Sequence, residues 1–196
     1  MTASMETVSF TRMEDGTAEE YAFLGELEEK AMADFPDRVL NWLRWMDDAG
    51  PTGYRISRLE HSLQSATRAL RAGEDEETVV CVLLHDIGDY LCPANHSEVA
   101  AAVLRPYVSD KNYWIVKHHG VFQGVYYFHF SGADPNARDR WKDHPYYQAT
   151  VDFCAYYDQN SFDPDYESES LEFFEPMVRR ILAEPRYLET QSEPAG

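Results

Sequence analysis

Apolar residues recur every three or four positions through most of the chain, which is the period of an amphipathic helix. Residues 18–50 predict two N-terminal packing helices, residues 57–160 predict a core of several helices, and residues 168–184 predict a C-terminal helix. Tyr126–Phe128 has the residue types of a strand, but no partner strand is visible elsewhere. The pattern therefore predicts a single all-α domain of about eight helices over residues 1–196.

Residues 79–89 differ from the rest of the chain because they begin with a run that is apolar on every face. The run consists of Val79, Val80, Cys81, Val82, Leu83 and Leu84, and it is followed directly by His85 and Asp86. A buried carboxylate without a partner is costly, so a buried charge is normally paired or bound to metal. The ordinary interpretation of such a dipeptide is a core histidine beside a surface aspartate. The apolar run in front and the histidines downstream favour a pair of metal ligands instead.

The other candidate ligands are histidines on separate predicted helices and one further aspartate. The full set is His61, His85, Asp86, His96, His118 and Asp158. Imidazole and carboxylate without thiolate suit iron, manganese, zinc or similar ions. Six protein ligands are too many for one catalytic ion that must keep an open position. The set therefore predicts a buried site for two metal ions, with Asp86 as the bridge because it neighbours another ligand in sequence.

The formal charge of −18 excludes some classes of partner. Such a chain repels nucleic acid and anionic lipid, so neither is an expected partner. Three cysteines without a CxxC pair indicate a reduced, cytoplasmic protein. Residues 1–10 lack the pattern of a secretory signal, and no apolar run approaches the roughly eighteen residues of a membrane span. The sequence leaves the oligomeric state open.

The segments around the candidate ligands resemble a known family. Leu59–Gln64 reads Leu-Glu-His-Ser-Leu-Gln, and His144-Pro145-Tyr146 precedes a predicted helix with Asp158 in its last turn. Together with His85-Asp86, these segments resemble the HD-domain superfamily and, within it, the mixed-valent di-iron oxygenases of the myo-inositol oxygenase and PhnZ/TmpB group. The resemblance implies an HD-domain helical bundle with a buried di-metal site, two iron ions in the Fe(II)/Fe(III) state and O2 as co-substrate.

The resemblance also implies a small zwitterionic phosphonate as substrate. The implied reaction cleaves the C–P bond of a 1-hydroxyphosphonate, with 1-hydroxy-2-(trimethylammonio)ethylphosphonate giving glycine betaine and phosphate. Asp89 stands where many HD phosphohydrolases and inositol oxygenase carry lysine and PhnZ carries histidine. An aspartate there favours a cation such as a quaternary ammonium group. The alternative is that Asp89 faces water beyond the end of its helix.

The remaining substrate-binding candidates divide by chemistry. Aromatic faces for the ammonium group are Tyr54, Tyr126, Tyr127 and Phe128. Donors for the phosphonate oxygens are His119, Gln123, Arg138, Arg140 and Lys142. Two other hypotheses remain open, a di-metal HD phosphohydrolase that acts on a small phosphoester, and a ligand-binding module that kept the fold without catalysis.

Overall fold

The structure is a computed structural model that describes residues 6–187. Over these residues it contains nine α-helices, short 3-10 turns and no strands, which confirms the all-α prediction. The helices are α1 (Ala18–Ala33), α2 (Phe35–Asp48), α3 (Arg58–Ala72), α4 (Glu76–Leu84), α5 (His96–Leu104), α6 (Asp110–Gln123), α7 (Phe128–Ser131), α8 (Tyr147–Phe153) and α9 (Leu171–Ile181). Within the described residues, none of the helices combines the length and apolarity needed to cross a membrane.

Two capping boxes fix where α1 and α3 begin. The Thr17 hydroxyl accepts a hydrogen bond from the amide of Glu20, and the Glu20 carboxylate accepts one from the amide of Thr17. Ser57 and Glu60 repeat this exchange at the start of α3. Each box satisfies backbone donors that the first helical turn leaves free. The second box therefore fixes the first turn of α3, from which two side chains of the candidate site project.

The apolar run forms α4, which lies in the centre of the domain. Every residue from Val79 to Leu84 is at most 2% exposed, and the helix packs against α3, α6 and α9. A helix that is apolar all round must be buried, as the pattern predicted. The α-helix ends at Leu84, so His85 and Asp86 lie in the turns that follow it. Trp42 of α2 holds these turns in place by donating its indole N–H to the Ile87 carbonyl, at 2.8 Å.

Helix α6 does not stop at Gly120 but continues to Gln123. A Cβ atom on Gly120 would lie 2.8 Å from the Ser97 hydroxyl and 3.6 Å from Nε2 of His96. Gly120 is therefore required by the close approach of α5 to α6 and not by helix termination. The structure also corrects the strand suggested for Tyr126–Phe128, since Gly124–Tyr126 is a 3-10 turn and α7 begins at Phe128.

Candidate metal centre

Four histidines from different parts of the fold meet in the interior. His61 comes from α3, His85 follows α4, His96 begins α5, and His119 lies in α6. Their Nε2 atoms form two pairs, and the Nε2–Nε2 distance is 3.3 Å both between His61 and His85 and between His96 and His119. The side chains of His61, His85 and His119 are at most 2% exposed, while that of His96 is 25% exposed.

The Nδ1 atoms of the three buried rings determine which nitrogen faces the cluster. Each lies close to a backbone carbonyl, namely Ser161 for His61 (2.9 Å), Val82 for His85 (2.7 Å) and Val116 for His119 (2.7 Å). A carbonyl oxygen only accepts hydrogen bonds, so each Nδ1 carries the proton, and in the neutral ring Nε2 presents its lone pair. Lone pairs directed at one another across 3.3 Å repel unless a cation lies between them. This donor set is what a metal ion requires of histidine.

Two carboxylates complete the cluster. Oδ2 of Asp86 lies 3.6 Å from Nε2 of both His61 and His85, while its Oδ1 lies 3.2 Å from His119 and 3.5 Å from His96. Oδ1 of Asp158 lies 3.4 Å from His61 and 3.7 Å from His85. The cluster thus divides into a first site (His61, His85 and Asp158) and a second site (His96 and His119). Asp86 offers one oxygen to each site, which is the arrangement expected of a bridging ligand.

The electrostatics of the cluster also favour a bound cation. Burial alone would raise the pKa of Asp86, but the neighbouring histidines His85 and His119 hold it well below its usual value. Burial alone would lower the pKa values of His61 and His85, but the carboxylates of Asp86 and Asp158 raise both above the usual value. The interior therefore attracts positive charge, and metal ions bound to these residues would supply it.

His119 takes the place that the sequence analysis assigned to His118. The ring of His118 stacks on Trp114, with centroids 4.1 Å apart, and its Nδ1 donates to the Trp114 carbonyl at 2.8 Å. Successive residues of a helix point about 100° apart, so only one of two neighbouring histidines can face the cluster. Buried Val116 and Asn112 lie three and seven positions before His119, on its face of the helix, but two and six positions before His118. The spacing from Val116 is the sequence signal that favours His119.

A cavity of about 220 Å³ opens onto the cluster. Its wall includes Asp86, His96, His119 and Asp158, whereas His61 and His85 do not line it. Of the predicted substrate residues, the wall includes Tyr54, Asp89, His119, Gln123, Tyr126 and Tyr127. Arg138, Arg140, Lys142 and Phe128 do not line this cavity, and the Arg140 guanidinium instead lies over the ring of Trp141, 3.8 Å from its centroid. The loop that carries the three cations is close to the ligands in sequence but not at the cavity.

Arg58 is the cationic residue of the cavity, and the sequence analysis missed it. Its Nε donates to Oδ2 of Asp89 at 2.7 Å, and one of its terminal nitrogens lies 3.5 Å from Oδ2 of Asp86. The guanidinium also lies over the ring of Tyr54, 5.0 Å from the centroid. Asp89 therefore does not simply face water, since its side chain is 15% exposed and forms an ion pair. No local pattern marks Arg58, because its partner lies on another element.

Asp158 lies at the end of a π-helical turn, Cys154–Asp158, that extends α8. Such turns widen the helix by one residue and occur frequently at functional sites. The sequence predicts Asp158 in the last turn of a helix that follows His144-Pro145-Tyr146. In the structure, α8 begins at Tyr147, and Asp158 lies in the π-helical turn after it. The ring of His144 stacks on Trp114 with centroids 4.1 Å apart.

A comparison with curated proteins finds no matching sequence. A comparison with protein-family models finds one match to report, over residues 58–145. The matched stretch contains five members of the cluster and ends before Asp158. The match and the buried His/Asp groups together support a metal-dependent enzyme. The family model that matches residues 58–145 is that of the HD domain.

Proposed function

We propose that the protein is a di-iron oxygenase that cleaves the C–P bond of a 1-hydroxyphosphonate. The proposed substrate is 1-hydroxy-2-(trimethylammonio)ethylphosphonate, and the proposed products are glycine betaine and phosphate. The observation that carries the proposal is the position of Asp86, whose two oxygens face two separate histidine pairs. This geometry supports a site for two metal ions. The resemblance of the ligand segments to the di-iron oxygenases then indicates the class of reaction.

The proposed iron ligands are the six members of the two sites. His61, His85 and Asp158 would hold one ion, His96 and His119 would hold the other, and Asp86 would bridge them. A pair of irons in the Fe(II)/Fe(III) state supplies the activation of O2 and the redox chemistry, while the protein supplies position and charge. The second site has fewer protein ligands, and both of its histidines line the cavity. It is therefore the site where a substrate has room to bind.

The lining of the cavity supports a zwitterionic substrate. Arg58 offers a guanidinium that can bind phosphonate oxygens, and Asp89 beside it offers a carboxylate for a quaternary ammonium group. Tyr126 and Tyr127 add aromatic faces, each worth about 0.5–2 kcal/mol to a cation. The side-chain oxygen of Gln123 is buried and has no hydrogen-bond partner among the described residues, so it is free to accept from the substrate's hydroxyl group.

The proposed reaction balances with O2 as the only co-substrate. The C–H and C–P bonds at C1 break, and C1 is oxidised by four electrons, which reduce one molecule of O2. One oxygen atom from O2 completes the carboxylate of glycine betaine, and the other completes phosphate. One proton is released when the products ionise. The protein's contribution is to orient C1 towards the second site and to exclude water from the cavity.

The decisive experiment measures phosphate release with and without O2. The iron-loaded protein should show the EPR signal of a mixed-valent iron pair and release phosphate from the hydroxyphosphonate only when O2 is present. With ¹⁸O2, one labelled atom should appear in each product. Equal phosphate release under nitrogen would contradict the oxygenase proposal.

A di-metal phosphohydrolase is the second candidate, and the match to the HD domain favours it. In that reaction, the bound metal ions would lower the pKa of a water molecule, which would attack a phosphoester. The same protein should then hydrolyse small phosphoesters without O2 and incorporate ¹⁸O from labelled water into phosphate. Activity confined to phosphoesters would favour this candidate over the oxygenase.

A further inference from the structure

One face of α3 carries four polar side chains at helical spacing, those of Arg58, His61, Gln64 and Arg68. Arg58 lines the cavity, and His61 belongs to the first site. Gln64 and Arg68 neither line the cavity nor belong to the first site. They contact residues 159–163, the segment that directly follows Asp158.

The Gln64 amide binds this segment through both of its polar atoms. Its Nε2 donates to the Asp163 carbonyl at 2.6 Å, and its Oε1 accepts from the Asp163 amide at 3.2 Å. The Gln64 side of these bonds is buried, since Gln64 is 3% exposed. Arg68 donates to the Asn160 carbonyl at 2.9 Å. Helix α3 thereby holds the segment at both ends.

The residues between these two anchors contact His61. The buried Ser161 carbonyl accepts the Nδ1 proton of His61 at 2.9 Å. The ring of Phe162 stacks on His61 with centroids 4.4 Å apart, and its other neighbour is Tyr54, at 4.7 Å. The segment thus fixes the protonated nitrogen and the ring orientation of His61, and it also contributes Phe162 to the cavity wall.

We propose that Gln64 is a positioning residue of the metal centre. It holds the Ser161 carbonyl where that carbonyl directs Nε2 of His61 into the first site. Partners of this kind, one step removed from the ion, set the orientation and basicity of a histidine ligand. Without the amide, the N–H and C=O of Asp163 lose both of these partners, and the segment is no longer fixed to α3 at this end. The proposal rests on the proposed metal centre and is independent of the oxygenase reaction.

Titration of the metal-free, full-length protein with Co²⁺ tests this role. Gln64→Met keeps the length of the side chain and removes both hydrogen bonds. It should weaken the binding of one of two Co²⁺ ions by about 10- to 100-fold and leave the other ion nearly unaffected. Gln64→Glu keeps the acceptor for the Asp163 amide and should cause a smaller loss. If Gln64→Met does not fold, Gln64→Glu can be titrated in its place.

Thr67→Val is the matched control. Thr67 is buried on the same helix, donates to the Leu63 carbonyl at 2.7 Å and accepts from the Glu169 amide at 3.0 Å. It joins α3 to a distant segment without reaching residues 159–163, so its loss should lower stability and leave both Co²⁺ affinities unchanged. An equal loss of Co²⁺ affinity in Thr67→Val would show a general effect of destabilisation and overturn the proposal.

Solvent exchange of the His61 Nδ1 proton provides a readout that needs no metal. In the metal-free protein with ¹⁵N-labelled histidine, this proton should exchange faster in Gln64→Met than in the wild type or Thr67→Val. A folded Gln64→Met protein with wild-type exchange and wild-type Co²⁺ affinities would refute the positioning role. A wild-type protein that binds no Co²⁺ would refute the metal centre, while the exchange rates would still decide whether Gln64 positions His61.

Discussion

Arg58 forms an ion pair with Asp89 in which Nε lies 2.7 Å from Oδ2. The pair ties the first turn of α3 to the turns that follow α4. Both side chains are mostly buried, at 19% and 15% exposed, so solvent screens the pair only weakly. Arg58 also approaches Asp86, so its guanidinium lines the cavity beside the carboxylate that faces both histidine pairs. An anion that enters the cavity meets this guanidinium.

Replacement of Arg58 by methionine should raise KM for the phosphonate substrate more than it lowers kcat. A charge-assisted hydrogen bond contributes about 1.5–3 kcal/mol, which corresponds to roughly a 10- to 150-fold loss of affinity. Steady-state kinetics of the iron-loaded protein measures the effect. Arg180→Met is the control, because Arg180 pairs with Glu76 at the surface and lines no cavity that contains a member of the cluster. Similar changes in both variants would contradict a role for Arg58 in binding the anion.

Replacement of Asp89 by asparagine should impair recognition of the ammonium group. Asparagine keeps an acceptor for Arg58 but removes the negative charge. Affinity for the trimethylammonium substrate should fall by about fivefold or more, as expected for a partly buried charge pair. The isosteric 1-hydroxy-3,3-dimethylbutylphosphonate has carbon in place of nitrogen, and its affinity should change little. Equal losses for the two compounds, measured by competition binding, would show that Asp89 does not recognise the cation.

His118 and His119 form a matched pair of substitutions for the metal centre. His119→Ala removes a member of the second site, and we expect affinity for one of two ions to fall by more than about 100-fold. His118→Ala removes a ring that packs on Trp114 and should leave two ions bound. Metal analysis after dialysis, with circular dichroism to confirm folding, distinguishes the two. Loss of an ion only in His118→Ala would restore the assignment made from the sequence.

The sequence predicted what depends on local pattern and missed what depends on tertiary contact. The apolar run predicted the buried helix α4 and the place where His85 and Asp86 emerge, and helical spacing predicted the all-α fold. The choice between His118 and His119 depended on which face of α6 is buried. Arg58 could not be identified, because its ion pair joins residues on different elements. Arg138, Arg140 and Lys142 were predicted to bind the phosphonate because they lie near the ligands along the chain. Proximity in sequence does not place them at the cavity that contains Arg58.

Gly88→Ala should disturb the second site through the backbone of α5. A Cβ atom on Gly88 would lie 2.6 Å from the His96 carbonyl oxygen and 2.9 Å from Cβ of Val99, so α5 must shift. Overpacking of this kind typically costs about 1–3 kcal/mol. Urea denaturation and Co²⁺ titration should show lower stability together with weaker binding of one ion.

Gly25→Ala is the opposite case and the control for Gly88→Ala. Gly25 lies inside α1, and a Cβ atom there would have no neighbour within 4 Å. Alanine in a helix interior is about 0.5–1 kcal/mol more favourable than glycine, so this variant should be more stable and bind metal normally. A stabilised Gly88→Ala protein would refute the close packing of α5 against the turns after α4.

Glu20 should make the docking of the N-terminal segment depend on pH. Its carboxylate accepts hydrogen bonds from the amide and hydroxyl of Ser9 and from Thr17, and these bonds lower the pKa of Glu20 from 4.5 to about 2. Because the pKa is lower in the folded state than in the unfolded state, the stabilisation is fully present above about pH 4.5 and is lost as the pH falls towards 2. Glu20→Gln should therefore be less stable than the wild type at neutral pH, and the difference in urea midpoint should shrink below pH 4.5. Glu19→Gln, at an exposed position of the same helical turn, should change the midpoint far less. A difference between wild type and Glu20→Gln that stays constant from pH 7 to pH 3 would show that these hydrogen bonds do not favour the ionised carboxylate.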